Sequence, residues 1–188
     1  MVRLPIPTLF VALAIAAAGC GGGGSAPEGT PPADWAATVC GALGSWQTAL
    51  EQQAEGLGAE VLQAATPQQS KERIVEFLDS VVASTETMRG EISDVGRPAV
   101  EAGADIEEDL RVGLEAMQAA FQDAQASVAE VPTDDPQAFQ QELTRIGEEL
   151  QQQGQAIGDT LGEIDEKYDA PELSTALEET DACQEFTN

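Results

Sequence analysis

The chain has 188 residues, with 34 acidic side chains, 8 basic side chains, no histidine and a formal charge of −26 at neutral pH. An excess of carboxylates argues against binding to nucleic acid, whose phosphates require Lys and Arg, and against direct adsorption to an anionic lipid surface. The lack of histidine argues against a ferritin-like di-metal centre and a histidine-assisted nucleophile.

The first 19 residues have the pattern of an export signal. Arg3 and the amino terminus give a positive start, and residues 4–18 form an apolar run. This run is shorter than the roughly 20 apolar residues that a membrane span needs, and it ends in small residues of the kind found at signal cleavage sites. We therefore expect residues 1–19 to be a signal peptide.

The tetrapeptide Ala17-Ala18-Gly19-Cys20 ends this leader. It resembles the lipobox of bacterial lipoproteins, in which the cysteine receives a lipid and becomes the mature first residue. The resemblance implies a lipidated Cys20, with acyl chains such as palmitate, and attachment to the outer face of the cytoplasmic membrane. The alternative is ordinary signal cleavage, with Cys20 unmodified.

Residues 20–33 have the composition of a flexible linker, with a run of glycines followed by several prolines. A flexible linker of this length spans on the order of 20 Å. The folded domain, residues 34–188, would then lie just clear of the lipid headgroups.

Apolar residues in the domain recur at steps of three and four, which is typical of one face of a helix. Thr66-Pro67 and Asp135-Pro136 combine a capping residue with proline at the first helical position. Asp34 is the predicted cap of the first helix, which Gly56 and Gly58 weaken near its end. The predicted helices are residues 34–61, 67–95, 98–130 and 136–168, with a short last helix after Pro171.

Short proline-containing turns separate these long helices. This organisation predicts an all-α fold, specifically an up-down four-helix bundle with a short C-terminal helix. A sustained four-three spacing is also compatible with an intermolecular coiled coil. The turns favour folding back within one chain.

Once Cys20 carries a lipid, Cys40 and Cys183 remain as an even pair in an oxidising compartment. A disulfide is the interpretation that this setting favours. A zinc pair and a catalytic thiol are alternatives, but zinc would need further Cys or His ligands and a thiol nucleophile usually needs a His base.

Residues 35–43, WAATVCGAL, are followed closely by Trp46. This stretch resembles the opening of an uncharacterised group of secreted helical lipoproteins from high-GC Gram-positive bacteria. Other short motifs fit the same pattern: Gly96-Arg97-Pro98, Gly103, Asp135-Pro136 with Phe139, Glu172-Leu173 and Ala182-Cys183. The resemblance supports a helical body and a Cys40–Cys183 bridge, and it carries no activity with it.

Trp35 and Trp46 lie 11 residues apart, three helical turns, and share one face with the apolar stripe. Such a pair serves either as core or as a platform for a small ligand. Gln153 is a polar residue on the otherwise apolar face of the fourth helix. Asp159 and Glu163, one turn apart, could share a hard cation.

These features predict a lipid-anchored, non-enzymatic protein that binds a protein or another envelope component. The alternative is a small-ligand or cation-binding lipoprotein with an intra-bundle pocket lined by Trp35, Trp46 and Gln153. An enzyme is the third hypothesis, and the sequence offers neither a nucleophile motif nor a phosphate-binding loop for it. We expect no cofactor and no resident metal.

Overall fold

The computed structural model describes residues 27–184, apart from the side chains of residues 59, 62, 157 and 159–166. Within this part the chain is all-helical, which confirms the predicted fold class. The elements are α1 (Pro32–Gln63), α2 (Pro67–Val95), α3 (Gly103–Glu130), α4 (Pro136–Lys167), α5 (Pro171–Glu179) and a 3₁₀ helix (Asp181–Cys183). The predicted signal peptide and the predicted lipidation site lie outside the described residues.

Caps and prolines set the starts of α2 and α4 as predicted. The Thr66 hydroxyl accepts a hydrogen bond from the Gln69 backbone N–H at 3.3 Å, and the Gln69 side chain accepts one from the Ala65 N–H at 2.9 Å. The first bond satisfies an amide group that an uncapped helix leaves unpaired, and the second ties the residue before the cap to the first turn. At α4 the Asp135 carboxylate accepts from the backbone N–H of Gln137 at 2.8 Å.

The first helix differs from its prediction at both ends. It begins at Pro32 with Pro31 as the N-cap, so Asp34 lies within the first turn instead of capping it. It also continues through Gly56 and Gly58 without a break.

The start of the third helix also differs from its prediction. Residues 98–102 form a tight turn, and α3 begins at Gly103. The turn is not helical, because the Pro98 carbonyl accepts from the Val100 N–H at 2.8 Å instead of from residue 102. The Ala99 N–H, which a helix start would also leave without an intrahelical partner, donates to the Thr30 carbonyl at 2.8 Å.

That contact belongs to an N-terminal strap, residues 28–31, which lies on the α2–α3 loop. Thr30 donates its N–H to the Arg97 carbonyl at 2.9 Å and its hydroxyl to the Val95 carbonyl at 2.6 Å. The Arg97 guanidinium pairs with the Glu28 carboxylate at 2.8 Å. The predicted linker ends at residue 33, but its portion over residues 28–31 is attached to the helical domain.

The helices pack in chain order: α1 on α2, α2 on α3 and α3 on α4, while α5 and the 3₁₀ helix pack on α1. Two main core clusters result. The strap-end core joins α1, α2, α3 and the α4–α5 region around Trp35, Val39, Met88, Ile92, Ile106, Leu110, Leu114 and Leu173. The distal core joins α2, α3 and α4 around Leu78, Ala124, Val128, Val131, Phe139 and Ile146.

None of the helices described is both long enough and apolar enough to cross a bilayer.

Candidate functional site

A disulfide joins Cys40 of α1 to Cys183 of the 3₁₀ helix, with 5.1 Å between the two Cα atoms. Both cysteines are buried, and they pack with Ala36 and Ala176. The bond therefore fastens the C-terminal segment to the first helix, in agreement with the pairing that the sequence predicts.

Both tryptophans use their indole N–H groups inside the protein. Trp35 is buried and donates to the Gly96 carbonyl at 2.8 Å. Trp46 donates to the Thr85 hydroxyl at 3.0 Å, and its ring centroid lies 6.2 Å from that of Phe121. These contacts place both residues in the packing between α1 and its neighbours, as expected for core tryptophans.

Gln153 lies elsewhere, with its side chain exposed on α4. With Ala120 and Leu150 it lines a cavity of about 30 Å³ between α3 and α4, and neither tryptophan lines that cavity. Its volume corresponds to about one water molecule. The structure thus does not bring Trp35, Trp46 and Gln153 together around a shared ligand pocket.

We expect Thr85→Val to lower the free energy of unfolding by about 1 kcal/mol, the typical net contribution of an intramolecular hydrogen bond, because the partly buried indole N–H of Trp46 loses its acceptor. Thr85 is fully buried and accepts the hydrogen bond of Trp46 while donating to the Val81 carbonyl at 2.8 Å. Urea denaturation followed by tryptophan fluorescence measures the change. Thr87→Val is the control, because Thr87 is exposed on the same helix, and we expect a change within about 0.5 kcal/mol. Equal effects of the two substitutions would contradict a role for the Trp46–Thr85 bond.

In the part of the chain that the structure describes, no three Cys, Asp or Glu side chains are grouped so as to hold a metal ion. The side chains of Asp159 and Glu163, the predicted cation pair, lie outside that part.

A polar cluster that the sequence did not predict joins α3 to the end of α4. Lys167 Nζ lies 2.5 Å from Asp109 Oδ2, and the Tyr168 hydroxyl donates to the same oxygen at 2.8 Å. The hydrogen bond from Lys167, followed by that from Tyr168, holds the pKa of Asp109 below its usual range. Asp109 thus ties the α4–α5 region to the start of α3.

This cluster predicts a specific dependence of stability on pH. A carboxyl group with a depressed pKa in the folded state stabilises the fold above its unfolded pKa, near 4, and that contribution is lost as pH falls through the folded pKa. Asp109→Asn should therefore be less stable than wild type at pH 7, and the difference should shrink below about pH 4. Urea denaturation at a series of pH values measures it, with the exposed Asp123→Asn on the same helix as control. A difference that stays constant with pH would contradict this role.

A second unpredicted feature is the α2–α3 groove, a cavity of about 200 Å³ between the end of α2 and the start of α3. Its floor is apolar and its rim carries two arginines from different helices and two glutamates. Its lining includes Arg89, Ile92, Leu110, Arg111, Leu114 and Glu115.

Comparison with protein-family models, with curated proteins and with solved structures finds no match for this chain. The resemblance to secreted helical lipoproteins therefore stays a prediction.

Proposed function

We propose that this chain is an exported, lipid-anchored helical protein that binds a protein or another envelope component at the outer face of the cytoplasmic membrane. It acts without catalysing a reaction. The observation that carries the proposal is the buried Cys40–Cys183 disulfide. Stable disulfides form mainly in oxidising compartments, so the bond supports the export that residues 1–19 predict.

The N-terminal strap would set how far the domain lies from the membrane if Cys20 is the anchor. Residues 20–27 would be the only segment between the lipid and the strap, and eight residues extend at most about 28 Å. The backbone hydrogen bonds of Thr30 join the strap to the α2–α3 loop. An anchored protein would thus be held with its strap end nearest the membrane.

We also propose that the four long helices form the up-down bundle that the sequence predicts. Lys71, near the start of α2, donates to the Val131 carbonyl just after α3 at 3.0 Å. Lys167 at the end of α4 pairs with Asp109 near the start of α3. Trp35 at the start of α1 bonds to Gly96 just after α2. Contacts of this kind support alternating helix directions.

The alternative function, a small-ligand or cation pocket inside the bundle, has less support. The indole N–H groups of Trp35 and Trp46 are already bonded within the protein, and Gln153 is exposed. We interpret the excess of carboxylates as a solvated surface that keeps an exported protein soluble.

Chemical cross-linking in intact cells, followed by affinity capture of the full chain, tests the binding role. Wild-type protein should recover a defined envelope partner reproducibly. Cys20→Ala, which lacks the lipidation site, should recover less of it because the chain is no longer held at the membrane. Failure to recover any reproducible partner would count against the proposal.

A further inference from the structure

The five described arginines differ in how well their charges are paired. Four have a carboxylate oxygen within 2.6–2.8 Å, and their side chains are 40–53% exposed. Arg89 is the exception: its side chain is 29% exposed, and its ion pair in the described structure, with Glu115, is 3.5 Å long. Arg89 is thus the most desolvated of these guanidinium groups and has the weakest ion pairing.

The carboxylate of Glu115 does not fully neutralise the charge of Arg89, because it also pairs with Arg111. Its Oε1 atom also accepts from Arg111 Nη1 at 2.6 Å, a much closer contact. Arg89 otherwise touches the uncharged amide oxygen of Gln118. A partly buried guanidinium that lacks a close carboxylate of its own favours an additional anion, since charge-assisted hydrogen bonds to guanidinium are among the stronger polar contacts.

The surroundings of Arg89 restrict what kind of anion fits. The groove beside it has an apolar floor of Ile92, Leu110 and Leu114. Glu107 and Glu115 also line the groove and would repel a second negative charge. The volume of about 200 Å³ is below the roughly 300–1,000 Å³ of pockets for drug-sized ligands. These features together fit a small ligand with one negative charge and one apolar part.

We propose that the α2–α3 groove binds a small amphipathic carboxylate, with the carboxylate on Arg89 and the apolar chain over Ile92, Leu110 and Leu114. This site is separate from the tryptophans and from Gln153, and it does not depend on lipid anchoring. It gives the protein a ligand-binding activity in addition to the proposed partner-binding role.

Isothermal titration of the purified full chain with octanoate tests this site. Wild type should bind octanoate saturably at one site. Arg89→Gln should weaken that binding about tenfold, the effect of losing one charge-assisted hydrogen bond. Glu115→Gln, which removes a negative charge from the rim, should tighten it. Arg145→Gln should leave it unchanged, because Arg145 pairs with Glu142 and Glu149 on its own helix, outside the groove.

Two further probes test the contributions of the apolar chain and of the carboxylate charge separately. Acetate lacks the chain and octyltrimethylammonium carries the opposite charge, so both should bind much more weakly than octanoate. No saturable binding of octanoate, equal binding of either probe, or unchanged binding by Arg89→Gln would each overturn the proposal. Circular dichroism establishes that the variants are folded, and the exposed position of Glu115 makes Glu115→Gln an informative second variant if Arg89→Gln does not fold.

Discussion

The double variant Cys40→Ala/Cys183→Ala is expected to lose roughly 2–5 kcal/mol of unfolding free energy. The two cysteines are 143 residues apart in sequence, and chain-entropy reasoning assigns about 5 kcal/mol to a loop of that length. α5 and the 3₁₀ helix pack on α1. In the double variant, which lacks the bond to α1, we expect these two elements to detach from it. Guanidinium denaturation under non-reducing conditions measures the effect.

The reductant provides the control for this prediction. Dithiothreitol should lower the denaturation midpoint of wild type to that of the double variant and should leave the double variant unchanged. A double variant with wild-type stability would contradict the claim that the bond stabilises the domain.

Gly103→Ala is expected to destabilise the protein by about 1–3 kcal/mol, the usual range for overpacking. A Cβ atom at this position would lie 2.1 Å from the Pro98 carbonyl oxygen. Because that oxygen belongs to the backbone of the turn beneath the strap, relief would require the turn itself to move. The same movement would disturb the bond between Ala99 and Thr30.

Gly147→Ala is a matched control for Gly103→Ala. Gly147 is also a helical glycine, but a Cβ atom there would meet no other atom within 4 Å. Alanine at an open helical position favours the helix by about 1 kcal/mol over glycine, so this variant should be more stable than wild type. Thermal denaturation of the two variants should give shifts of opposite sign, and shifts of the same sign would contradict the close approach at Gly103.

The helices were largely predictable because their signals are local. Thr66 with Pro67, and Asp135 with Pro136, mark helix starts through chemistry contained within a few residues. Apolar residues of α2 that recur at steps of three and four are likewise buried in the structure: Leu78, Val81, Met88 and Ile92. The disulfide was predictable because only two cysteines remain in the domain.

The late start of α3 could not be predicted from its own sequence. Pro98 has the properties of a first helical residue, but its carbonyl accepts from the Val100 N–H in a tight turn, and Thr30 of the distant strap bonds to that turn at Ala99. The sequence pattern also failed to show that Gln153 is exposed. The pattern assigns the residue to one face of α4, but it does not show whether a neighbouring helix covers that face.

The α2–α3 groove was not predictable for a similar reason. Arg89 and Arg111 lie on different predicted helices, each among acidic neighbours, and each alone has the pattern of an ordinary exposed charge. Only the packing of α2 on α3 brings both guanidinium groups to Glu115. The same holds for Asp109, Lys167 and Tyr168, whose proximity depends on how α4 returns to α3.

Intact-mass spectrometry of the protein isolated from its own cells, alkylated without reduction, tests the central claim most directly. Export, lipidation and oxidation together predict a chain that begins at Cys20, carries a diacylglycerol on that sulfur and shows no alkylation at Cys40 or Cys183. A full-length chain recovered from the cytosol with all three cysteines alkylated would contradict the compartment, the anchor and the disulfide at once.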